Sequence, residues 1–208
     1  MTDPGTACSG VILAGGLSKR FSGKNKAFLE IGGQRIIDRL FDLFRSVFEE
    51  VLIVTNDPAA YMEFDATIAA DIFSERSSLT GIHAALFYAR TPFVFVTACD
   101  TPFVKADLIH TMLDRVEANT GVVIPETEAG MEPLFAVYSK ACLSMMERHI
   151  EAEKFKIQRI FKFFRVKKVS GDMLQQADPE LTSFFNINTP EDLSRAESWG
   201  DRVKRRGK

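Results

Sequence analysis

A glycine-rich, basic stretch near the N-terminus contains the residues best suited to bind a charged ligand. An apolar run ends at Gly15 and Gly16 within the stretch VILAGGLSKRFSGKNK, and Ser18, Arg20 and Lys26 follow. Glycines let a backbone approach a ligand closely, and their N–H groups can bind phosphate oxygens. The cationic and hydroxyl side chains suit a triphosphate, so the stretch predicts a phosphate-binding loop. It matches neither GxxxxGK[ST] nor GxGxxG, and composition alone leaves open a basic surface loop without a ligand.

A carboxylate follows the apolar run FVFVT. Asp100 comes just after this run, and a carboxylate at the end of a buried strand is a suitable ligand for Mg²⁺. The next two residues also fit a helix start, with Thr101 as the N-cap and Pro102 as the first helical residue. The two predictions are compatible, because Thr101 can cap a helix while Asp100 points at a metal ion.

Three asparagines at the ends of apolar runs, and one glycine before a helical run, are further candidates for contact with a ligand. Asn56 follows another apolar run, where its side chain could contact a base or a ribose, although the sequence Asn-Asp-Pro equally predicts a turn. Asn186 and Asn188 come at the end of the last apolar run, and we expect their side chains to face a ligand. Gly81 precedes a helical run and would let the backbone approach a nucleobase.

Alternating strand and helix patterns must position these residues. Seven runs rich in apolar and β-branched residues predict strands at residues 10–13, 51–55, 93–97, 121–125, 134–138, 166–170 and 184–187. Helical spacing of apolar residues predicts helices at 36–48, 108–116 and 140–152, and another centred on 157–164. Thr189, Pro190 and Asp192 form a helix-start signal for a last helix.

This alternation predicts an α/β fold with three layers. Unbroken apolar strands indicate a mostly parallel, twisted sheet of about seven strands with helices on both faces. Such a sheet binds its ligand outside the carboxyl ends of the strands, where the residues named above would meet. A length of 208 residues suits a single domain, 1–208, and we expect 1–8 and 200–208 to be flexible ends.

Charge and cysteine content narrow the functional class. The formal net charge is −2, so neither a nucleic acid nor a membrane is expected as a partner. The three cysteines, Cys8, Cys99 and Cys142, are far apart, which argues against disulfides and a structural zinc site. We interpret them as small apolar side chains of a protein from the reducing cytoplasm.

Several motifs resemble a known enzyme family. They occur in the family's order and lie at residues 13–33 (LAGG, then Ser18, Arg20, Phe21 and KAFLEIGG), 81–86 (GIHAAL), 99–103 (CDTPF), 133–138 (PLFAVY) and 186–193 (NINTPEDL). The first resembles the nucleotidyltransferase signature LAGGxSxRMGxxKxLLxxxG. Together the motifs resemble the molybdenum cofactor guanylyltransferase family, whose fold is of the Rossmann-like nucleotide-diphospho-sugar transferase type.

The resemblance implies a role for each matching residue. Leu13, Ala14 and Gly15 would contact the nucleotide through the backbone. Lys26 would contact the triphosphate, with Arg20 as a second cation. The remaining implied contacts are those of Asp71 with guanine or ribose, of Asp100 with Mg²⁺ and the GTP phosphates, and of Asn186 and Asn188 with the pterin or the second phosphate. Asn56 lies where the family usually has a polar residue at a strand end.

The implied reaction is guanylyl transfer from GTP to a molybdopterin-type cofactor, which gives the guanine dinucleotide and pyrophosphate. The cofactor's phosphate oxygen is already charged at neutral pH, so no enzymic base is required. Mg²⁺, for which Mn²⁺ can substitute, would assist, and transient contacts with cofactor-biosynthesis or acceptor proteins are expected. The alternatives are a nucleotidyltransferase that uses CTP or a sugar phosphate, and a catalytically weakened nucleotide-binding protein.

Three departures from the family pattern bear on the site. Asn25 replaces the usual Asp before the motif lysine, Phe21 replaces Met, and Glu132 replaces His before Pro-Leu. We expect Asn25 to remove a carboxylate from the phosphate site. Glu132 would place an anion where the family has a histidine that can carry a positive charge, which could weaken binding of the anionic pterin or change substrate preference.

Overall fold

A computed structural model describes residues 5–15 and 25–206. These residues form ten strands and six α-helices, with short 3-10 helices between them. The strands are β1 Cys8–Leu13, β2 Glu30–Ile31, β3 Gln34–Arg35, β4 Val51–Val54, β5 Thr67–Ala69, β6 Phe93–Ala98, β7 Val122–Thr127, β8 Gly130–Met131, β9 Phe135–Ser139 and β10 Val166–Val169. The helices are α1 Ile36–Val47, α2 Ser78–Tyr88, α3 Ala106–Leu113, α4 Leu143–Glu151, α5 Gly171–Ala177 and α6 Pro190–Arg206.

The main sheet has eight strands and is mostly parallel. Seven of them follow the order β10-β7-β9-β6-β1-β4-β5, and β8 pairs with β7. Strand β1 is parallel to both of its neighbours, whereas β9 runs antiparallel between β6 and β7. The predicted α/β fold and mostly parallel sheet are therefore confirmed. Because β9 is reversed, its first residues lie at the same edge as the carboxyl ends of β1 and β6.

Apolar side chains alternate between two cores, one on each face of the sheet. In β1, Ile12 packs with α1 and α3 in one core, and Val11 packs with α2 and α4 in the other. Helix α1 forms because its apolar residues recur at helical spacing, and this stripe is buried. Every helix in the described ranges is too short or too polar to cross a bilayer.

Gly10 in β1 lets two phenylalanine rings pack against the sheet. A Cβ atom on Gly10 would collide with the Phe48 ring and would lie 2.6 Å from Cδ1 of Phe44. The same rings pack on Phe95, with centroids 5.8 Å from Phe44 and 5.9 Å from Phe48. Gly10 is therefore required by close packing and not by an unusual backbone conformation.

Gly10→Ala should destabilise the protein. Forcing one methyl group into a filled core costs about 1–3 kcal/mol, so we expect a melting temperature several degrees lower. Gly171→Ala is the matched control, because a Cβ at Gly171 meets no atom within 4 Å. Equal melting temperatures of the two variants would contradict this account of Gly10.

The predicted strand at 184–187 is wrong. Residues Thr182–Phe184 form a 3-10 turn, and irregular backbone follows. The backbone N–H of Ile187 donates to the carbonyl oxygen of Asp100, and the side chain of Asn186 donates to the carbonyl oxygen of Phe184. Loop contacts thus occupy polar groups that a strand would use for its ladder. The segment before Asp71, in contrast, contains β5, which the apolar pattern did not predict and which pairs with β4.

Three helix predictions also need correction. Helix α3 begins at Ala106, and the Thr101 hydroxyl donates to the carbonyl oxygen of Ala98, so Thr101 is not its N-cap. The segment Ile157–Phe163 is a 3-10 helix and not an α-helix. Helix α2 begins at Ser78 and therefore contains Gly81, which we had expected to precede it.

The predicted start of the last helix is confirmed. The Thr189 hydroxyl accepts a hydrogen bond from the backbone N–H of Asp192, whose carboxylate accepts one from the backbone N–H of Thr189. This reciprocal pair fixes the first turn of α6. Cys8 already belongs to β1 and α6 extends to Arg206. The single domain and its flexible ends remain predictions.

Candidate active site

A cleft of about 630 Å³ lies at the edge of the sheet where β1, β4, β5 and β6 end and β9 begins. This is where a mostly parallel sheet exposes the residues that follow its strands. The lining residues come from these strand ends, the start of the 3-10 helix Lys26–Phe28, the first turns of α2 and the loop before α6. They are Leu13, Gly15, Asn25, Lys26, Val54, Asp71, Arg76, Ser77, Ser78, Gly81, Ala98, Cys99, Asp100, Thr101, Glu132, Pro133, Leu134, Phe135, Ser183, Phe184, Asn186 and Asn188.

Most of the predicted site residues within the described ranges meet in this cleft. Leu13, Gly15, Lys26, Asp71, Gly81, Asp100, Asn186 and Asn188 line it. Ala14 is buried and Asn56 stands behind Asp71, so neither is part of the lining. Gly16, Ser18 and Arg20 lie outside the described residues.

Lys26 connects two parts of the cleft. Its Nζ lies 3.3 Å from Oδ2 of Asp100 and donates to Oδ1 of Asn188 at 3.0 Å. The Asn188 loop is tied to the same point, because the N–H of Ile187 donates to the carbonyl oxygen of Asp100 at 2.9 Å. A cation, a carboxylate and an amide from three distant segments therefore converge on one point, which suits the binding of phosphate groups.

Asn25 lines the cleft, and two hydrogen bonds also hold its side chain. Its amide oxygen accepts the N–H of Ala27, and its amide nitrogen donates to the hydroxyl of Tyr61 at 2.8 Å. Tyr61 is fully buried, and this burial raises the pKa of its hydroxyl. Asn25 thus caps the short 3-10 helix Lys26–Phe28 and fixes the backbone from which Lys26 extends.

Asp71 and two glycines form the opposite part of the cleft. The Asn56 amide donates to Oδ2 of Asp71 at 2.9 Å, which orients that carboxylate. A Cβ on Gly15 would lie 3.3 Å from the Asn56 amide nitrogen, and one on Gly81 would lie 3.5 Å from Cδ2 of Leu13. The backbone at Gly15 is therefore closely packed against the Asn56 amide, whereas a Cβ at Gly81 would make only ordinary van der Waals contact.

Sequence reasoning missed the start of α2 as part of the cleft. Arg76, Ser77 and Ser78 all line it, and Ser77 caps the helix in a reciprocal arrangement with Thr80. The partial positive charge of a helix N-terminus favours an anion. The signal was present in the sequence as Ser77-x-x-Thr80 before an apolar run, which resembles a capping box.

Comparison with known proteins assigns the chain to a family. The family model described as the MobA-like NTP transferase domain matches residues 10–169. The chain belongs to the MobA-like NTP transferase family. It is 45% identical over 192 residues to the molybdenum cofactor guanylyltransferase of Desulfosudis oleivorans, and the match covers 92% of this chain and 95% of that relative.

Solved structures of MobA-like and related proteins have the same fold. The crystal structure of molybdopterin-guanine dinucleotide biosynthesis protein A from Archaeoglobus fulgidus has a TM-score of 0.82 and 30% identity, and covers 93% of this chain and 99% of that one. The 2-C-methyl-D-erythritol 4-phosphate cytidylyltransferase of Thermus thermophilus has a TM-score of 0.69 at 20% identity, and covers 94% of this chain and 99% of that one. The predicted family, Rossmann-like fold and nucleotidyltransferase class are confirmed.

The cysteines of this MobA-like transferase are protonated side chains. All three are free, and burial raises the pKa of Cys99 and of Cys142 to about 12. Burial also raises the pKa of Cys8. A thiol with such a raised pKa is a poor nucleophile at neutral pH, so these cysteines act as small apolar side chains.

Carboxylates are sparse around Asp100. Among the described residues, no group of three or more His, Cys, Asp or Glu side chains is arranged to hold a metal ion. His83 is buried against Glu147, with Nε2 3.3 Å from Oε1, and it does not line the cleft. Any divalent ion at Asp100 would therefore rely on substrate phosphates and water for most of its ligands.

A buried carboxylate holds the loop that carries the two site asparagines. Asp178 is fully buried, and its Oδ1 lies 2.6 Å from Nζ of Lys105. Its Oδ2 accepts the backbone N–H of Ser183 at 2.8 Å, and the Ser183 hydroxyl accepts the N–H of Lys105. These contacts join the segment after Asp100 to the segment before Asn186.

Asp178→Asn should destabilise the protein by about 1–3 kcal/mol at neutral pH, because hydrogen bonds to a charged group are lost. Burial alone would raise the pKa of Asp178, but the hydrogen bonds from Lys105 and Ser183 hold it below its usual range. A lowered pKa stabilises the fold above the unfolded value of about 3.9, and this contribution disappears as the pH falls through the folded value.

The difference in stability between wild type and Asp178→Asn should therefore shrink below about pH 4. Urea unfolding from pH 7 to pH 3 measures it, with the exposed Glu180→Gln as the control. A difference that grew on acidification would show that the charge of Asp178 is not what stabilises this loop.

Proposed function

We propose that this chain transfers the guanylyl group of GTP to a molybdopterin-type cofactor, which gives molybdopterin guanine dinucleotide and pyrophosphate. The observation that carries the proposal is the convergence of Lys26, Asp100 and Asn188 at the middle of the cleft. Polar residues of the cleft lie on both sides of this point, with Asp71 on one side and Glu132 on the other. Such an arrangement is expected of a site for two phosphate-bearing substrates. The name of the Desulfosudis oleivorans relative supports the choice of substrates.

The reaction requires in-line positioning more than acid–base chemistry. A phosphate oxygen of the acceptor forms a bond to the α-phosphorus of GTP, and the bond from that phosphorus to the oxygen bridging the α- and β-phosphates breaks. The bridging oxygen keeps the electron pair and leaves as part of pyrophosphate. The protein must hold the two phosphates in line and neutralise the developing charge, for which Lys26 is suited.

GTP would bind with its guanosine beside Gly15, Asp71 and Gly81 and with its triphosphate toward Lys26. Asp71 is oriented by Asn56, and its carboxylate can accept hydrogen bonds from a guanine edge or a ribose hydroxyl. Arg20, Gly16 and Ser18 complete the phosphate-binding loop in this proposal. Asn186 and Asn188 would then contact the acceptor or its phosphate.

The residues present fit a magnesium ion at Asp100. Mg²⁺ is usually held by one or two carboxylates together with phosphates and water, and Asp100 offers one carboxylate inside the cleft. When bound, the ion would neutralise negative charge on the phosphate oxygens. Mn²⁺ could take the same position. Lys26 would then act beside the ion as a second positive charge, in contact with the same carboxylate.

A nucleotide panel tests the donor. We expect GTP with Mg²⁺ to raise the melting temperature more than CTP, ATP or dTTP, and incubation with molybdopterin to give a product of the mass of the guanine dinucleotide. Preference for CTP would favour the alternative of a cytidylyl or sugar-phosphate transferase. Nucleotide binding without pyrophosphate release would favour the catalytically weakened binding protein. Cytoplasmic location and transient protein partners remain predictions.

A further inference from the structure

Glu132 is a carboxylate at the cleft that the proposed reaction does not use. It lies in the segment that connects β8 to β9, three residues before the first residue of β9, and it lines the cleft with Pro133 and Leu134. Burial raises the pKa of its carboxyl group, and a hydrogen bond with Thr127 opposes this rise. Within the described part of the chain, Glu132 forms no ion pair.

The backbone around Glu132 is fixed by three hydrogen bonds. The N–H of Glu132 donates to the carbonyl oxygen of Pro125, and its own carbonyl oxygen accepts the N–H of Phe135 at 3.0 Å. The hydroxyl of the fully buried Tyr138 donates to the carbonyl oxygen of Pro133 at 2.8 Å. A half-buried carboxylate on such a fixed turn is suited to select a ligand, because little side-chain and backbone freedom is lost on binding.

The strand order separates Glu132 from the nucleoside part of the cleft. Along the sheet the order is β9-β6-β1-β4-β5, so Asp100 after β6 lies between Glu132 at β9 and Asp71 after β5. Strands β9 and β5 are four spacings apart, or about 19 Å at 4.8 Å per spacing. If GTP lies beside Gly15 and Asp71, Glu132 is on the acceptor side of the reacting phosphates.

The acceptor side also offers an apolar wall. Leu134 and Phe184 line the cleft near Glu132, and the Phe184 ring packs edge-on against Phe135 with centroids 5.1 Å apart. A flat heteroaromatic ring would bury its face on this wall and present its polar edge to a hydrogen-bonding group. A carboxylate only accepts hydrogen bonds, so it matches an edge that only donates them.

We propose that Glu132 binds the edge of the acceptor pterin at which a ring N–H stands beside an exocyclic amino group, and so selects 2-amino-4-oxopteridines. The two donors match the two carboxylate oxygens, as in other bidentate charge-assisted pairs. Guanine carries the same pair of donors, and the position of Glu132 assigns it to the pterin. The proposal rests on the proposed function for the identity of the acceptor.

Two pairs of matched ligands test the role of Glu132. Pterin and lumazine differ at position 2, where lumazine has an oxygen in place of the amino group. GTP and ITP differ at the corresponding amino group of guanine, which hypoxanthine replaces with hydrogen. We expect the wild type to bind pterin about 10- to 100-fold more tightly than lumazine, since a charge-assisted hydrogen bond is lost. Glu132→Gln should lose this preference and leave the ratio of GTP to ITP binding unchanged.

Glu128→Gln is the control, because Glu128 is exposed on the same hairpin and does not line the cleft. Pterin binding is followed by the fluorescence of the pteridine, and melting temperatures check that each variant is folded. If Glu132→Gln still preferred pterin to lumazine, the proposal would be overturned. A change in the ratio of GTP to ITP binding would also overturn it, because that result would assign Glu132 to guanine.

The same measurements separate this proposal from the proposed function. If the wild type prefers pterin through Glu132 but forms no dinucleotide from GTP and molybdopterin, the guanylyl-transfer proposal is wrong and the ring-edge assignment is supported. If the dinucleotide forms while pterin and lumazine bind equally, the reaction is supported and the role of Glu132 is overturned.

Discussion

Asp100→Asn should lower the turnover number for guanylyl transfer by about 1000-fold or more while the protein remains folded. Removal of one group that stabilises charge in a transition state costs on the order of 100- to 1000-fold, and loss of the single carboxylate at the phosphate-binding centre would also weaken Mg²⁺ binding. Asn keeps an oxygen that Lys26 can donate to, so the contact seen at 3.3 Å can persist. Pyrophosphate release at saturating GTP and Mg²⁺ measures the effect.

Asp107→Asn is the matched control for Asp100. Asp107 is an exposed acid in the first turn of α3 and does not line the cleft. Its replacement should leave turnover unchanged and alter stability by only a few tenths of a kcal/mol. Near-normal turnover of Asp100→Asn at saturating Mg²⁺ would mean that this carboxylate does not hold the metal ion.

Lys26→Met should reduce kcat/KM for GTP by about 100- to 1000-fold. The substitution keeps the apolar stem but removes the charge that contacts Asp100 and Asn188. Because the ammonium group reaches the loop that carries Asn188, the apparent affinity for the acceptor should fall as well. Initial rates at varied GTP and varied molybdopterin separate the two effects.

Lys168→Met controls for loss of a lysine charge elsewhere. Lys168 lies in β10 and pairs with Glu126 on the surface, where an ion pair contributes about 0–1 kcal/mol. Its kinetic constants should match those of the wild type. An unchanged dependence of the Lys26→Met rate on GTP concentration would argue against contact between Lys26 and the triphosphate.

The spacing of apolar residues correctly predicted the helices and strands whose residues interact mainly within their own segment or with one face of the sheet. The apolar stripe of α1 and the continuous apolar run of β6 are visible in the sequence because helical and strand periodicities differ. The segment 184–187 has the apolar residues of a strand, but the backbone N–H of Ile187 bonds to another loop and not to a neighbouring strand. Ile187 donates to Asp100, more than 80 residues earlier in the chain.

For the motif residues, the sequence predicted their chemistry but not their contacts with one another. The types of Lys26, Asp100 and Asn188 indicated phosphate and metal chemistry, and their positions after apolar runs predicted the edge of the sheet at which they meet. The direct contact of Lys26 with Asn188, 162 residues away in sequence, was not predicted. The contact of Asn25 with Tyr61 was not predicted either; it holds the amide whose oxygen caps the 3-10 helix.

The sequence by itself determined the α/β class, the family and the residue types of a nucleotidyltransferase site, because periodicity and motif spacing are local properties of the chain. Only the tertiary structure decided which side chains share the cleft and which stand behind it, as Asn56 stands behind Asp71. It also placed Glu132 and Asp71 on opposite sides of Asp100. These relations depend on strand order and on the reversed direction of β9, which are set by packing between distant segments.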